Sequence, residues 1–246
     1  IPPRHYIPLQ AKRSSVTIVQ ANRYHGLDGL RGFAMLLGVV LHASLPYFSS
    51  LAGFDYFWPA DNDQSFPLFL VFDFIHAWRM PTFFLLAGFF TRLMVQRRGI
   101  ANLLKNRFIR IFIPLVIGVL VYNLVFRFGA LRELHHMWFL YDLIWMYLLL
   151  VIMKYASRMW PTILPKIDWI FGSPAKMWWL MIPLLPATII GRPEFFNWIH
   201  TDIGFPGPFF ILGFTYFLIG WFTHRNTHIL TSLAARWKMH CILGIM

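Results

Sequence analysis

Charged residues are scarce in this sequence, at 13% of its 246 residues, whereas about a quarter of the residues in a typical soluble domain are charged. Hydrophobic residues make up 58% of the chain. The shortage of charge indicates that much of the surface faces something other than water. The apolar runs are also too long for a soluble nucleic-acid-binding domain, and that class is therefore excluded.

Cysteine and acidic residues are scarce as well. The single cysteine, Cys241, excludes a disulfide within the chain and leaves the redox compartment unreadable. Asp and Glu number 10 against 22 Lys and Arg, so the formal net charge is +12. The apolar runs do not show the alternation that the strands of a membrane barrel require. The remaining class is a helical membrane protein.

Apolar stretches long enough, or nearly so, to cross a hydrocarbon layer of about 30 Å predict membrane-spanning helices. Six of them lie near 32–51, 68–92, 110–128, 137–154, 177–191 and 207–223, and a seventh begins near Met239. The predicted fold is an all-α polytopic transmembrane bundle. The chain starts at Ile1 and ends inside an apolar run, so we expect a fragment that lacks some C-terminal helices.

Basic residues are distributed unevenly among the connections. Eighteen of the 22 Lys and Arg lie in the N-terminal tail or in the segments after the second, fourth and sixth spans. Cytoplasmic segments carry such an excess. We therefore expect residues 1–25 to form a cytoplasmic tail and residues 26–246 to form the transmembrane domain. Because topology accounts for the basic excess, no nucleic acid partner is needed.

Ionisable residues inside predicted spans are costly and mark candidate functional sites. His42 follows Arg31 by eleven residues, so the two share one helical stripe at a separation of roughly 16 Å. Arg31 is then at the cytoplasmic edge and His42 near the midplane. Gly38, between them on this stripe, leaves room for a neighbouring helix or a thin ligand. We expect burial to keep His42 neutral and able to accept a proton.

The second span carries three further ionisable residues at successive helical turns, Asp73, His76 and Arg79. Arg79 is predicted to lie at the depth of His42, and this coincidence favours a functional role for both. Asp73 and His76 are candidate supporting residues. For His76, and for Asp142 in the fourth span, a structural role is favoured over a functional one. For Asp73 the two roles are about equally favoured. No metal site is predicted.

Two arginines stand where the third span begins. Arg107 and Arg110 are three residues apart, and paired guanidinium groups suit phosphate, which they can bind bidentately. Together with Arg31 they form a candidate anion site on the cytoplasmic side. Topology alone explains most of the other charges in this connection.

Several motifs resemble those of the membrane acyltransferase-3 family. Arg31 and His42 are similar to its first-span signature, and Leu27–Met35 is typical of its opening. Arg79-Met80-Pro81 resembles its second motif, and Arg107-Phe108-Ile109-Arg110 resembles its third. The stretches around Asp73–Met80, His136–Leu140 and Pro208–Gly213 are similar to the branch of that family that succinylates osmoregulated periplasmic glucans.

The resemblance implies an O-acyltransferase in the bacterial cytoplasmic membrane. Acyl-CoA, either succinyl-CoA or acetyl-CoA, would approach from the cytoplasm, and the acyl group would pass to a hydroxyl of a periplasmic or surface glycan. No permanently bound cofactor is implied. His42 matches the family's essential histidine and Arg79 its buried arginine. Arg31, Arg107 and Arg110 match the arginines thought to serve the donor.

Two questions stay open at the level of sequence. His42 would act either as general base on the acceptor hydroxyl or as a transient acyl carrier. Arg79 would stabilise the oxyanion or hold the free carboxylate of a succinyl group. The alternative class is a proton-coupled transporter, since intramembrane ionisable groups and proline-interrupted helices occur there too, although the sequence shows no internal repeat.

Overall fold

The computed structural model describes residues 24–48, 60–126, 131–134, 137–159, 169, 176, 203–204 and 208–239. The predicted fifth span, 177–191, and the residues that follow Met239 lie outside this part of the chain. The helices begin and end as follows: α1 His25–Ser44, α2 Phe66–Arg107, α3 Ile113–Leu120, α4 Trp138–Met159, α5 Pro208–Arg225 and α6 His228–Ala235.

Helices account for nearly all of the described residues, which confirms the predicted all-α class. Among the described residues, three segments are long and apolar enough to cross a membrane, namely His25–Tyr47, Phe66–Val125 and Trp138–Ser157. The second of these contains the predicted span 68–92 and most of the predicted span 110–128. The predicted spans at 32–51, 137–154 and 207–223 coincide largely with α1, α4 and α5.

The long segment Phe66–Val125 reverses direction at Gly99, whose backbone has φ 76° and ψ 172°. This combination is essentially restricted to glycine. The reversal divides the segment into a first arm, 66–98, and a second arm, 100–125. The side chains of Thr91 and Arg107, eight residues to either side of Gly99, form a hydrogen bond. The second and third predicted spans are therefore antiparallel neighbours, and the chain between them changes direction at Gly99.

The second arm departs from a regular α-helix at two places. Five-residue π turns, Phe108–Phe112 and Val121–Val125, flank α3. A π turn advances the chain more slowly around the helix axis than an α turn, and such turns occur frequently at functional sites. The side chains on either side of Phe108–Phe112 are consequently rotated relative to a regular helix.

Glycines allow the first arm to pack closely against α5. A Cβ atom at Gly88 would overlap the carbonyl oxygen of Phe217, and one at Gly220 would overlap the carbonyl oxygen of Leu85. Small residues permit this approach of two backbones, which is a common way for helices to associate in membranes. Phe84 and Phe217 are buried beside this contact, so it forms the centre of the described bundle.

Helix α1 packs against the same arm through one narrow face. Ala34, Gly38 and Leu41 are buried, and Leu41 joins Phe72 and Ile75 in an apolar cluster. The backbone N–H of Ser65 donates to the carbonyl of Tyr47 at 2.6 Å, which ties the end of α1 to the start of α2. Many apolar side chains elsewhere on α1 are exposed, as expected for a helix in contact with lipid.

Candidate active site

The side chain of Arg79, on α2, lies against the backbone of Gly38, on α1. A Cβ atom at Gly38 would overlap Nη1 of Arg79 and would lie 3.4 Å from its Cζ. The space left by this glycine is therefore filled by a guanidinium. Since Gly38 is buried on the narrow packing face of α1, the arginine is directed between the two helices.

Two histidines lie beside this contact. His42 is one helical turn, roughly 6 Å of rise, beyond Gly38 on α1. His76 is one turn from Arg79 on α2, and it is within electrostatic range of both Arg79 and His42. Both ring nitrogens of His76 are buried, and its ring packs 5.4 Å from that of Phe72. The structure thus brings His42, His76 and Arg79 together across the α1–α2 interface.

His42 itself is exposed rather than buried, which differs from the expectation drawn from the sequence. The reason is the rotation of α1, whose packing face is centred on Ala34, Gly38 and Leu41. His42 lies at the edge of that face, next to the guanidinium and open on its other side.

Asp73 is half-buried on the first arm, one turn before His76. It is the acidic residue of the predicted supporting pair, and the helical spacing keeps it on the same side of α2 as His76. Asp142, by contrast, is buried at 1% exposure on α4, a helix that does not contribute to the contact between Arg79 and Gly38.

A cavity of about 150 Å³ extends along the first arm of α2. Its walls include Met80 and Phe90, ten residues apart on α2, which corresponds to roughly 15 Å of helix. At the Phe90 end stand two of the predicted arginines, Arg31 and Arg107. At the other end, Met80 directly follows Arg79. The cavity therefore extends from the two arginines toward the level of the α1–α2 contact, and neither Arg79 nor His42 is among the described residues that line it.

The two arginines in this cavity are each held by an aromatic ring. The Cζ atom of Arg31 is 5.4 Å from the ring centroid of Phe90, and that of Arg107 is 5.1 Å from the centroid of Tyr147. Nη2 of Arg107 also donates a hydrogen bond of 3.4 Å to Oγ1 of Thr91. A guanidinium over an aromatic face is attracted by the negative ring quadrupole. Arg107 has two restraining contacts, whereas Arg31 is exposed and has one.

Arg110 has a different environment from Arg107. Its side chain is exposed, and it is absent from the residues that line the cavity in the described part of the chain. Arg110 lies within the π turn Phe108–Phe112, which begins directly after Arg107 and rotates the two arginines apart. The structure therefore brings Arg31 and Arg107 together, and the predicted role of Arg110 at the same anion site stays a prediction.

Thr91 and Tyr147 are partners of Arg107 that the sequence did not indicate. Thr91 is fully buried and Tyr147 is 4% exposed. Their relation to Arg107 depends on the reversal at Gly99 and on the packing of α4, neither of which leaves a local sequence signal. The sequence also did not indicate His224, near the end of α5. Its ring centroid lies 4.7 Å from that of Phe89.

The fold and the site define a helical membrane protein with ionisable groups between its first two spans and a cavity lined by arginines below them. Comparison with known families matches residues 24–246 to the acyltransferase-3 family of acyltransferase domains, and the chain belongs to this family.

Curated relatives include glucans biosynthesis protein C of Escherichia coli K12. The same protein from strain O1:K1 / APEC and from strain O139:H28 matches equally. Each is 34% identical over 102 residues, which cover 41% of this chain and 25% of the relative. The aligned part therefore spans about a quarter of the length of these relatives. No solved structure matches the chain.

Proposed function

We propose that this protein transfers an acyl group from cytoplasmic acyl-CoA to a hydroxyl of a glycan on the other side of the bacterial cytoplasmic membrane. Residues 26–246 would form the transmembrane domain, and residues 1–25 a cytoplasmic tail. The observation that carries the proposal is the seating of Arg79 on Gly38, one turn from His42. The guanidinium at this contact would stabilise an oxyanion, and the exposed imidazole one turn away would accept a proton.

The donor would occupy the cavity below this contact. Arg31 and Arg107 would bind the phosphates of coenzyme A, because guanidinium groups form strong charge-assisted hydrogen bonds to phosphate. The thioester arm would extend along the cavity toward Met80 and place the carbonyl carbon near Arg79. Acyl-CoA is a substrate in this scheme, and no resident cofactor is required.

His42 would act on the acceptor in the simplest version of the reaction. The imidazole accepts the proton of the glycan hydroxyl as the hydroxyl oxygen attacks the thioester carbonyl. The new C–O bond forms, the C–S bond breaks, and the proton passes from His42 to the departing thiolate of coenzyme A. Arg79 stabilises the oxyanion between these steps. If His42 instead carries the acyl group, the same bonds change in two stages.

The identity of the acyl group is the finer part of the proposal. The matched relatives are named for glucan biosynthesis, which supports a glucan as acceptor. The acyl group of the proposal is either succinyl or acetyl. With a succinyl donor, Arg79 would offer its charge to the free carboxylate as well as to the oxyanion.

The test uses the full-length protein in liposomes, with acyl-CoA on one side and a glucan on the other. Succinyl-CoA and acetyl-CoA are compared, and acylated glucan is measured by mass spectrometry. His42→Ala should abolish transfer, whereas His25→Ala, at the exposed start of the same helix, should retain it. Transfer by His42→Ala at the wild-type rate would refute the role of His42. Solute flux without acyl-CoA would support the transporter alternative.

A further inference from the structure

Arg107 is a cation that lacks an acidic partner among the described residues. Its two described contacts are to Thr91 and Tyr147, and both partners are neutral. Its Nε atom is buried and has no acceptor in the part of the chain that the structure describes. The side chain as a whole is half-buried and lines the cavity, so an anionic ligand there can supply the counter-charge. The guanidinium is thus positioned while its charge stays available.

Thr91 and Tyr147 restrain Arg107 from two directions. The Thr91 hydroxyl accepts a hydrogen bond from Nη2, on the opposite arm of the reversal at Gly99. The Tyr147 ring centroid lies 5.1 Å from Cζ. The two contacts to Arg107 come from the first arm of α2 and from α4. Arg107 and Tyr147 line the cavity, and Thr91 lies behind them.

We propose that Thr91 and Tyr147 are positioning residues that hold Arg107 for an anionic donor group without neutralising it. An aspartate at position 91 would orient the guanidinium equally well, but it would compete with the ligand for the charge. A hydroxyl and an aromatic ring fix the direction of a guanidinium and leave its full charge to a phosphate. This inference rests on the proposed function for the identity of the donor.

The inference predicts a specific kinetic pattern in the full-length protein. Thr91→Val and Tyr147→Leu should each raise the KM for acyl-CoA about fivefold, in keeping with the loss of one hydrogen bond or one cation–π contact, and kcat should change less than twofold. Tyr147→Phe keeps the ring and should have the smaller effect of the two Tyr147 variants. Tyr141→Phe, on the same helix as Tyr147, serves as the matched control, because it removes a hydroxyl that donates a hydrogen bond to the carbonyl of Gly204.

A double-mutant cycle separates positioning from a general structural role. If Tyr147 acts through Arg107, Tyr147→Leu should have little further effect on the donor KM in an Arg107→Ala background. Additive losses, or unchanged KM in both Thr91→Val and Tyr147→Leu, would overturn the inference.

Equilibrium binding of unacylated coenzyme A gives a second readout that does not depend on transfer. Wild-type protein that binds coenzyme A through Arg107 but acylates no glucan would refute the proposed function. A double-mutant cycle on the affinity for coenzyme A, with the Thr91, Tyr147 and Arg107 variants, would then still test whether Thr91 and Tyr147 position Arg107. Absence of coenzyme A binding by the wild-type protein would refute both.

Discussion

The guanidinium of Arg79 occupies the space beside Gly38 that any other side chain would fill. This relationship joins the second span to the first, and it does so one helical turn from His42. The long side chain of Arg79 crosses the interface between the two helices, and Gly38 leaves space for it because glycine has no side chain. The position of the Arg79 guanidinium relative to the His42 imidazole therefore depends on Gly38, a residue without a reactive side chain.

Replacement of Gly38 should consequently remove activity while the protein still folds. In Gly38→Ala, the new methyl group overlaps the end of a flexible side chain, so Arg79 can move away at small cost to stability. We expect at least a tenfold loss of acyl transfer, since small displacements of catalytic groups have effects of this order or larger. Gly32→Ala is the control, because a Cβ there has open space. Equal activity of the two variants would show that the position of Arg79 does not matter.

Arg107 and Arg110 should contribute unequally to donor binding. Arg107 lines the cavity, whereas Arg110 is exposed within the π turn Phe108–Phe112. Arg107→Ala should therefore raise the KM for acyl-CoA by about tenfold or more, the size expected for one charge-assisted contact, with a smaller effect on kcat. Arg110→Ala should raise KM less. The measurement is steady-state kinetics with the donor varied, and a larger effect at Arg110 would contradict the assignment of the cavity.

Adding a side chain at the contact between α2 and α5 should strongly destabilise the protein. Gly88→Ala places a methyl group on the backbone carbonyl of Phe217, which cannot move as a flexible side chain can. We expect a loss of stability of about 3 kcal/mol or more, measured as a lower midpoint of thermal unfolding in detergent. Gly26→Ala, in open space at the start of α1, should unfold like the wild type. A normal midpoint for Gly88→Ala would mean that the two helices pack less closely.

The reversal at Gly99 should be sensitive for a different reason. A Cβ there would meet nothing within 4 Å, so the cost of Gly99→Ala comes from the backbone conformation alone. At φ 76° and ψ 172°, we expect about 1–3 kcal/mol of destabilisation and a raised donor KM, because Thr91 and Arg107 meet across this turn. Gly29→Ala tests alanine substitution without such strain. Unchanged thermal stability in Gly99→Ala would contradict the described turn.

Much of the fold was predictable because hydrophobic length and helix geometry are local properties. The apolar runs near 32–51, 68–92, 110–128, 137–154 and 207–223 each coincide with a helix, and the run at 177–191 lies outside the described residues. The pattern did not indicate that the second and third spans share one helical segment. The turn between them is a single glycine, Gly99, and a helical pattern continues on both sides of it.

The candidate site was predictable in its members and less so in its arrangement. Helical spacing alone put His42 with Arg31, and Asp73 with His76 and Arg79, on common stripes. Spacing within one helix cannot determine how that helix is rotated against its neighbours. The rotation of α1 leaves His42 exposed at the edge of the packing face, and the π turn separates Arg110 from Arg107.

The sequence by itself determined that this protein is a helical membrane protein, and which ionisable residues lie in its predicted spans, because hydrophobicity and charge act residue by residue along the chain. Its motifs also resembled those of the family to which it belongs. Only the tertiary structure decided that Arg79 fills the space at Gly38, and that Thr91 and Tyr147 hold Arg107. Those contacts join residues from different helices. They arise from close packing of complete helices, which depends on shape in three dimensions and leaves no periodic signal in the sequence.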